Sequence, residues 1–98
     1  MILEHALLPV VAGRTEEFEA AMRRATPIIA AMPGFLSLTV SRSIEAPSTY
    51  LLLVEWERLA DHTEGFRSSP EYQQWRDLLH EFYDPFPTVA HFEQIHAA

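Results

Sequence analysis

Apolar and polar positions along the 98-residue chain fall into six blocks of differing period. Residues 2–9 form an apolar, β-rich run closed by Pro9 and Gly13. Thr15 is placed to cap the next element, with Glu16 and Glu17 in a first turn that favours negative charge. Phe18, Met22, Ala25 and Ile29 then recur at helical spacing. Pro27 removes one backbone donor and should kink this helix, and Pro33-Gly34 should end it. Residues 35–42 alternate, with Leu36, Leu38 and Val40 against Ser37, Thr39 and Ser41, which predicts a half-buried strand.

A turn at residues 45–48 leads to a strand over 50–57. Its run Tyr50-Leu51-Leu52-Leu53-Val54 is apolar on both faces, the mark of a central strand covered on both sides. Leu59, His62 and Phe66 share one face of a short helix broken near Gly65. Ser68-Ser69-Pro70-Glu71 resembles a capping box with proline in the first turn. The helix behind it carries Tyr72, Trp75, Leu79 and Phe82 on one stripe, and Asp84-Pro85-Phe86-Pro87 stops it. Residues 88–95 form a last strand.

The order β-α-β-β-α-β is an α+β, ferredoxin-like unit: an antiparallel four-stranded sheet with two helices on one face. The other face is left bare, and here it is apolar. A second copy would cover it, so a homodimer is expected. A single domain of this size buries roughly 60–70% of its unfolded surface, a margin that dimerisation would widen.

Composition then removes much chemistry. There is no Cys, no Lys and no Asn, and all seven basic residues are Arg. Thiolate metal sites, Cys nucleophiles, Schiff bases and the P-loop lysine are therefore excluded. The five His form no HxxxH or HxH pair, so no metal site is expected. No nucleotide-binding glycine loop or nucleophile elbow occurs. Fourteen acidic residues against seven basic give a net charge of −7, which argues against nucleic acid and anionic membrane surfaces as partners. Residues 1–13 lack the basic start of a secretory signal, and the longest uncharged run, 25–41, is broken by Pro27, Pro33 and Gly34. A cytoplasmic location is the expectation.

His62 is the leading candidate for chemistry. It should face the sheet from an apolar stripe, and an imidazole with a pKa near ~6.5 suits proton transfer at neutral pH. A buried neutral histidine at a subunit interface fits the same pattern. Trp56, Phe66, Tyr72 and Trp75 are candidate walls for a flat aromatic ligand, although an aromatic stripe at helical spacing equally describes core. His80 and Tyr83 lie near the end of the second long helix, where they can line a pocket mouth or simply favour the helix C-terminus. His5 and His91 lie on neighbouring strands, where they could face one another, but on otherwise apolar strand faces a structural role is the expectation.

These blocks resemble the antibiotic biosynthesis monooxygenase family. The likeness rests on Ile2-Leu3-Glu4-His5-Ala6, Met32-Pro33-Gly34-Phe35, Tyr50-Leu51-Leu52-Leu53-Val54-Glu55-Trp56, Asp61-His62 and Tyr72-Gln73-Gln74-Trp75, and it covers roughly residues 2–95. The resemblance implies a dimeric α/β-barrel with a pocket between sheet and helices. It further implies oxygenation of a small phenol, anthrone or quinol by O₂ with no metal or flavin cofactor. His62 would then be the base, and Trp56, Phe66, Tyr72, Trp75, His80 and Tyr83 would meet the substrate. The haem-degrading branch of the family uses an Asn near the first strand, and this chain has none. Haem binding through His62 or His80, or a non-catalytic or stress-related ligand-binding barrel, are the alternatives.

Overall fold

A computed structural model describes residues 1–98. The elements are β1 (Ile2–Pro9), α1 (Thr15–Ala30), β2 (Phe35–Arg42), β3 (Thr49–Trp56), a π-helical turn (Asp61–Phe66), α2 (Pro70–Leu79), a 3₁₀ turn (His80–Phe82) and β4 (Val89–Glu93). The strands form one antiparallel sheet in the order β2-β3-β1-β4, the ferredoxin-like arrangement. No helix is long and apolar enough to cross a membrane.

Strand period fixes which side chains meet the helices. Glu4, Ala6 and Leu8 of β1 point inward, as do Tyr50, Leu52, Val54 and Trp56 of β3, and all are buried. Phe18, Ala21, Met22, Ala25 and Ile29 of α1 close over them. Leu3, His5, Leu7, Leu51 and Leu53 occupy the opposite face, where Leu7 and Phe92 are more than half exposed.

Three local readings change. Helix α1 takes its N-cap at Arg14 with no side-chain cap bond, so Thr15 is the first helical residue rather than the cap. Pro27 stands on the exposed side of that helix, which runs unbroken through it to Ala30. A bulge between Phe35 and Ser37 takes Leu36 off the inward face, and Phe35 packs edge-on against Trp56 in its place. Helix α2 begins as the sequence indicates: Ser69 Oγ accepts from Tyr72 N–H at 3.2 Å, and Pro70 follows in the first turn.

Two close approaches set the loops around the sheet's end. Gly34 adopts φ +84, and a Cβ there would stand 2.1 Å from the Asp61 carboxylate. Asp61 accepts in turn from Arg58 N–H at 3.0 Å, which fixes the entry to the π-helical turn. That turn, closed by Arg67 N–H donating to His62 C=O, directs both His62 and Phe66 inward.

Candidate active site

Between the sheet and α2 lies a cavity of about 380 Å³, a size ordinary for small-molecule sites. Its floor is the inward face of the sheet: Glu4, Ala6, Leu8, Leu52 and Val89. Tyr72 and Trp75 of α2 form one wall, and His80, Tyr83, Phe86 and Pro87 form the other. Arg67 and Phe86, both exposed, stand at the rim. The second wall is held by backbone bonds to the end of β1. Val11 N–H donates to Phe82 C=O at 2.9 Å, and Asp84 N–H donates to Pro9 C=O at 2.8 Å. Tyr72, His80, Tyr83 and Phe86 then pack as a chain of edge-on and tilted rings.

Glu4 is the one carboxylate on this apolar floor. Its Oε1 accepts from the Trp56 indole N–H at 3.0 Å and lies 3.3 Å from His62 Nε2. Oε2 has no protein partner, yet no buried polar atom is left unsatisfied, so this oxygen opens to the cavity. Burial raises the Glu4 pKa above the usual carboxylate range, against the opposing effects of the Trp56 N–H and the Arg67 charge. Such a carboxylate holds a proton more tightly than one in water, which suits a general base.

His62 does not line the cavity. It sits behind Glu4, 3% exposed, stacked on Trp56 with ring centroids 5.5 Å apart, and its Nδ1 is 2.8 Å from His91 Nε2. Burial, with the Arg67 and His91 charges, pushes its pKa down to about 3, so the ring is neutral at pH 7. His62 therefore stands one residue back from the cavity, with Glu4 between its ring and the open space. Trp56 and Phe66 also stand outside the lining, fully enclosed in the core, where they support the Glu4–His62 pair instead of walling the cavity. Tyr72, Trp75, His80 and Tyr83 do line it. Burial lowers the His80 pKa, helped by Arg76 and opposed by Asp77. Burial raises that of Tyr83, with further contributions from Tyr72 and Glu4.

His5 and His91 do not face one another. His91 pairs with Glu4 across β1 and β4 and shares its inward face, whereas His5 points outward and meets Phe92 edge-on at 5.6 Å. The sequence reading missed Glu4, Arg67 and the role of His91. An acidic residue two and four positions before Ala6 and Leu8, and so on their face of an apolar strand, is the available signal for Glu4. A second cavity of about 300 Å³ lies between α1 and the β2–β3 end of the sheet. There Glu19 already accepts from Tyr50 OH and Arg42, which leaves less free chemistry. No group of three His, Asp or Glu is arranged to hold a metal ion.

This sheet, with its aromatic-walled cavity under α2, is an antibiotic biosynthesis monooxygenase domain, and the chain belongs to that family, whose profile matches residues 1–78. The uncharacterised Bacillus subtilis protein YczJ is 54% identical over 95 residues, covering 97% of this chain and all of that one. A Bordetella bronchiseptica structure assigned to the antibiotic biosynthesis monooxygenases shares 37% identity, with a TM-score of 0.92 over 97% of each chain. SnoaB, a cofactor-independent oxygenase from Streptomyces nogalater, shares the fold at 18% identity, with a TM-score of 0.82 over 98% of this chain and 95% of its own.

Proposed function

We propose that the protein is a cofactor-independent monooxygenase of a small phenol, quinol or anthrone, with Glu4 as the base. The observation that carries this reading is a single carboxylate with a free oxygen, raised in pKa, on the floor of an aromatic-walled cavity. Its support from relatives is the family itself and the shared fold of SnoaB, a cofactor-independent oxygenase. A ring stacked between Trp75, Tyr72 and Tyr83 would present its hydroxyl or acidic carbon to Glu4 Oε2. Glu4 takes that proton, and Arg67 at the rim offsets the negative charge left on the substrate. The resulting anion passes an electron to O₂, and the radical pair combines to a peroxide. Glu4 returns its proton to the peroxide, and the carbon that bears it loses its own hydrogen as the O–O bond breaks. One oxygen stays in the product as a carbonyl, and the other leaves as water with both protons. His62 and Trp56 are positioning residues that hold the carboxylate.

The active form in this reading is a homodimer in which a second copy covers the face bearing Leu7, Leu51, Leu53 and Phe92. Oxygen uptake over a panel of quinols, anthrones and phenols tests the catalytic part. Uptake above the uncatalysed rate supports it. Saturable binding of the panel without uptake would replace it with a ligand-binding barrel.

A further inference from the structure

Glu4, His62 and His91 form a continuous line from the cavity floor to the outer edge of the sheet. Glu4 Oε1 lies 3.3 Å from His62 Nε2, and His62 Nδ1 lies 2.8 Å from His91 Nε2. The remaining ring nitrogen of His91, Nδ1, has no protein partner, yet no buried polar atom is unsatisfied, so it meets solvent. We infer that this line is a proton relay, through which bulk water sets the protonation state of the cavity carboxyl even when a ligand fills the cavity.

The relay has two arrangements, each with both histidines neutral. With Glu4 ionised, His62 carries its proton on Nε2, 3.3 Å from Glu4 Oε1, and His91 Nε2–H donates to His62 Nδ1. With Glu4 protonated, its hydroxyl donates to His62 Nε2, His62 Nδ1–H donates to His91 Nε2, and His91 carries its proton on Nδ1. One proton entering from water at His91 Nδ1 converts the first into the second. It moves as three short shifts: water to His91, His91 to His62, and His62 to Glu4. No bond other than those to hydrogen changes, and both rings are neutral again once all three shifts are made.

The surroundings favour neutral rings. Burial lowers the pKa of His91 as well as that of His62, and the Arg67 charge disfavours a proton charge on either. Around Glu4 stand the Trp56 N–H from β3, His91 from β4, Arg67 ahead of α2, and Tyr72, His80 and Tyr83 across the cavity. Of these, only Arg67 carries a fixed charge, and it disfavours imidazolium at both relay positions. The inference deepens the reading of Glu4 as the cavity base, but its test needs no substrate.

The experiment is ¹H–¹⁵N spectroscopy of the histidine rings in the full chain, titrated by pH. In the native protein His62 should exchange its Nε2–H for an Nδ1–H tautomer as Glu4 protonates, staying neutral, with His91 switching in step. Glu4→Gln should abolish the switch, and His91→Phe should hold His62 as Nε2–H throughout. A His62 that keeps one tautomer across the range in the native protein, or that becomes imidazolium as Glu4 titrates, overturns the relay. A tautomer switch without oxygen uptake leaves the relay standing and removes the oxygenase reading. Uptake without a switch does the reverse.

Discussion

Acid should destabilise this protein through His62. An ordinary histidine takes up its proton near pH 6.5, whereas burial holds His62 down to about 3. The unfolded chain therefore binds a proton that the native ring refuses. The stability contributed by the neutral ring is complete above pH 6.5 and drains away as the pH falls toward 3. Glu4 does not stabilise a charged His62, because its raised pKa leaves it uncharged before His62 can take a proton. At about 1.36 kcal/mol per pKa unit, acidification from pH 7 to 4.5 costs the native state about 2–3 kcal/mol through this ring. That is a substantial part of the roughly 5–15 kcal/mol that holds a domain folded. Glu4 acts with the opposite sign, since its native state binds a proton earlier than the unfolded chain does. The His62 effect is therefore isolated in a Glu4→Gln background. Denaturant unfolding of Glu4→Gln and of Glu4→Gln/His62→Phe, at one protein concentration, measures the gap between them. Between pH 7 and 4.5 that gap should move by about 2–3 kcal/mol in favour of the double variant. A gap that stays constant with pH would show that the ring ionises freely, and the buried-neutral account of His62 would fall.

Four further outcomes follow from the same geometry. Glu4→Gln should raise stability at pH 7 by removing the cost of an ionised buried carboxylate, read as a higher denaturation midpoint; a lower midpoint would place its hydrogen bonds above its desolvation. Trp75→Ala should cost about 3–5 kcal/mol and weaken aromatic ligands in the fraction that folds, because Trp75 is both 93% buried core and cavity wall; unchanged ligand affinity would restrict it to core. Gly34→Ala should cost about 2 kcal/mol or more, seen as a lowered melting temperature, because φ +84 and the Asp61 carboxylate leave no room for a Cβ. Leu7→Asp should yield monomers by light scattering if the open sheet face joins two copies, and a native protein that is itself monomeric at micromolar concentration would remove the dimer from the account.

The fold was legible because each element carried a local signal that tertiary packing reinforced. Tyr50-Leu51-Leu52-Leu53-Val54 reads as a central strand, and β3 lies between β2 and β1. Ser69 and Pro70 mark the start of α2. The signal weakened where a single residue shifts phase: the bulge at Leu36 leaves no trace in an alternating run. Half of the cavity wall was legible too, since Tyr72, Trp75, His80 and Tyr83 sit on or just beyond one helix stripe. Glu4 and His91 were not, because they meet across two strands separated by most of the chain, and period alone does not say which strand face is inward. His62 is the histidine on an apolar stripe, which is a sequence signal for burial and not for contact with a ligand. Only the three-dimensional arrangement separates the group that reaches a ligand from the group that stands behind it.

The pH dependence of oxygen uptake in the native protein and Glu4→Gln tests the central claim most directly. With an active quinol or anthrone, the native rate should climb as pH rises through the elevated Glu4 pKa, and Glu4→Gln should lose about 10²-fold or more at every pH. A Glu4→Gln variant that turns over at the native rate would contradict the assignment of Glu4 as the base.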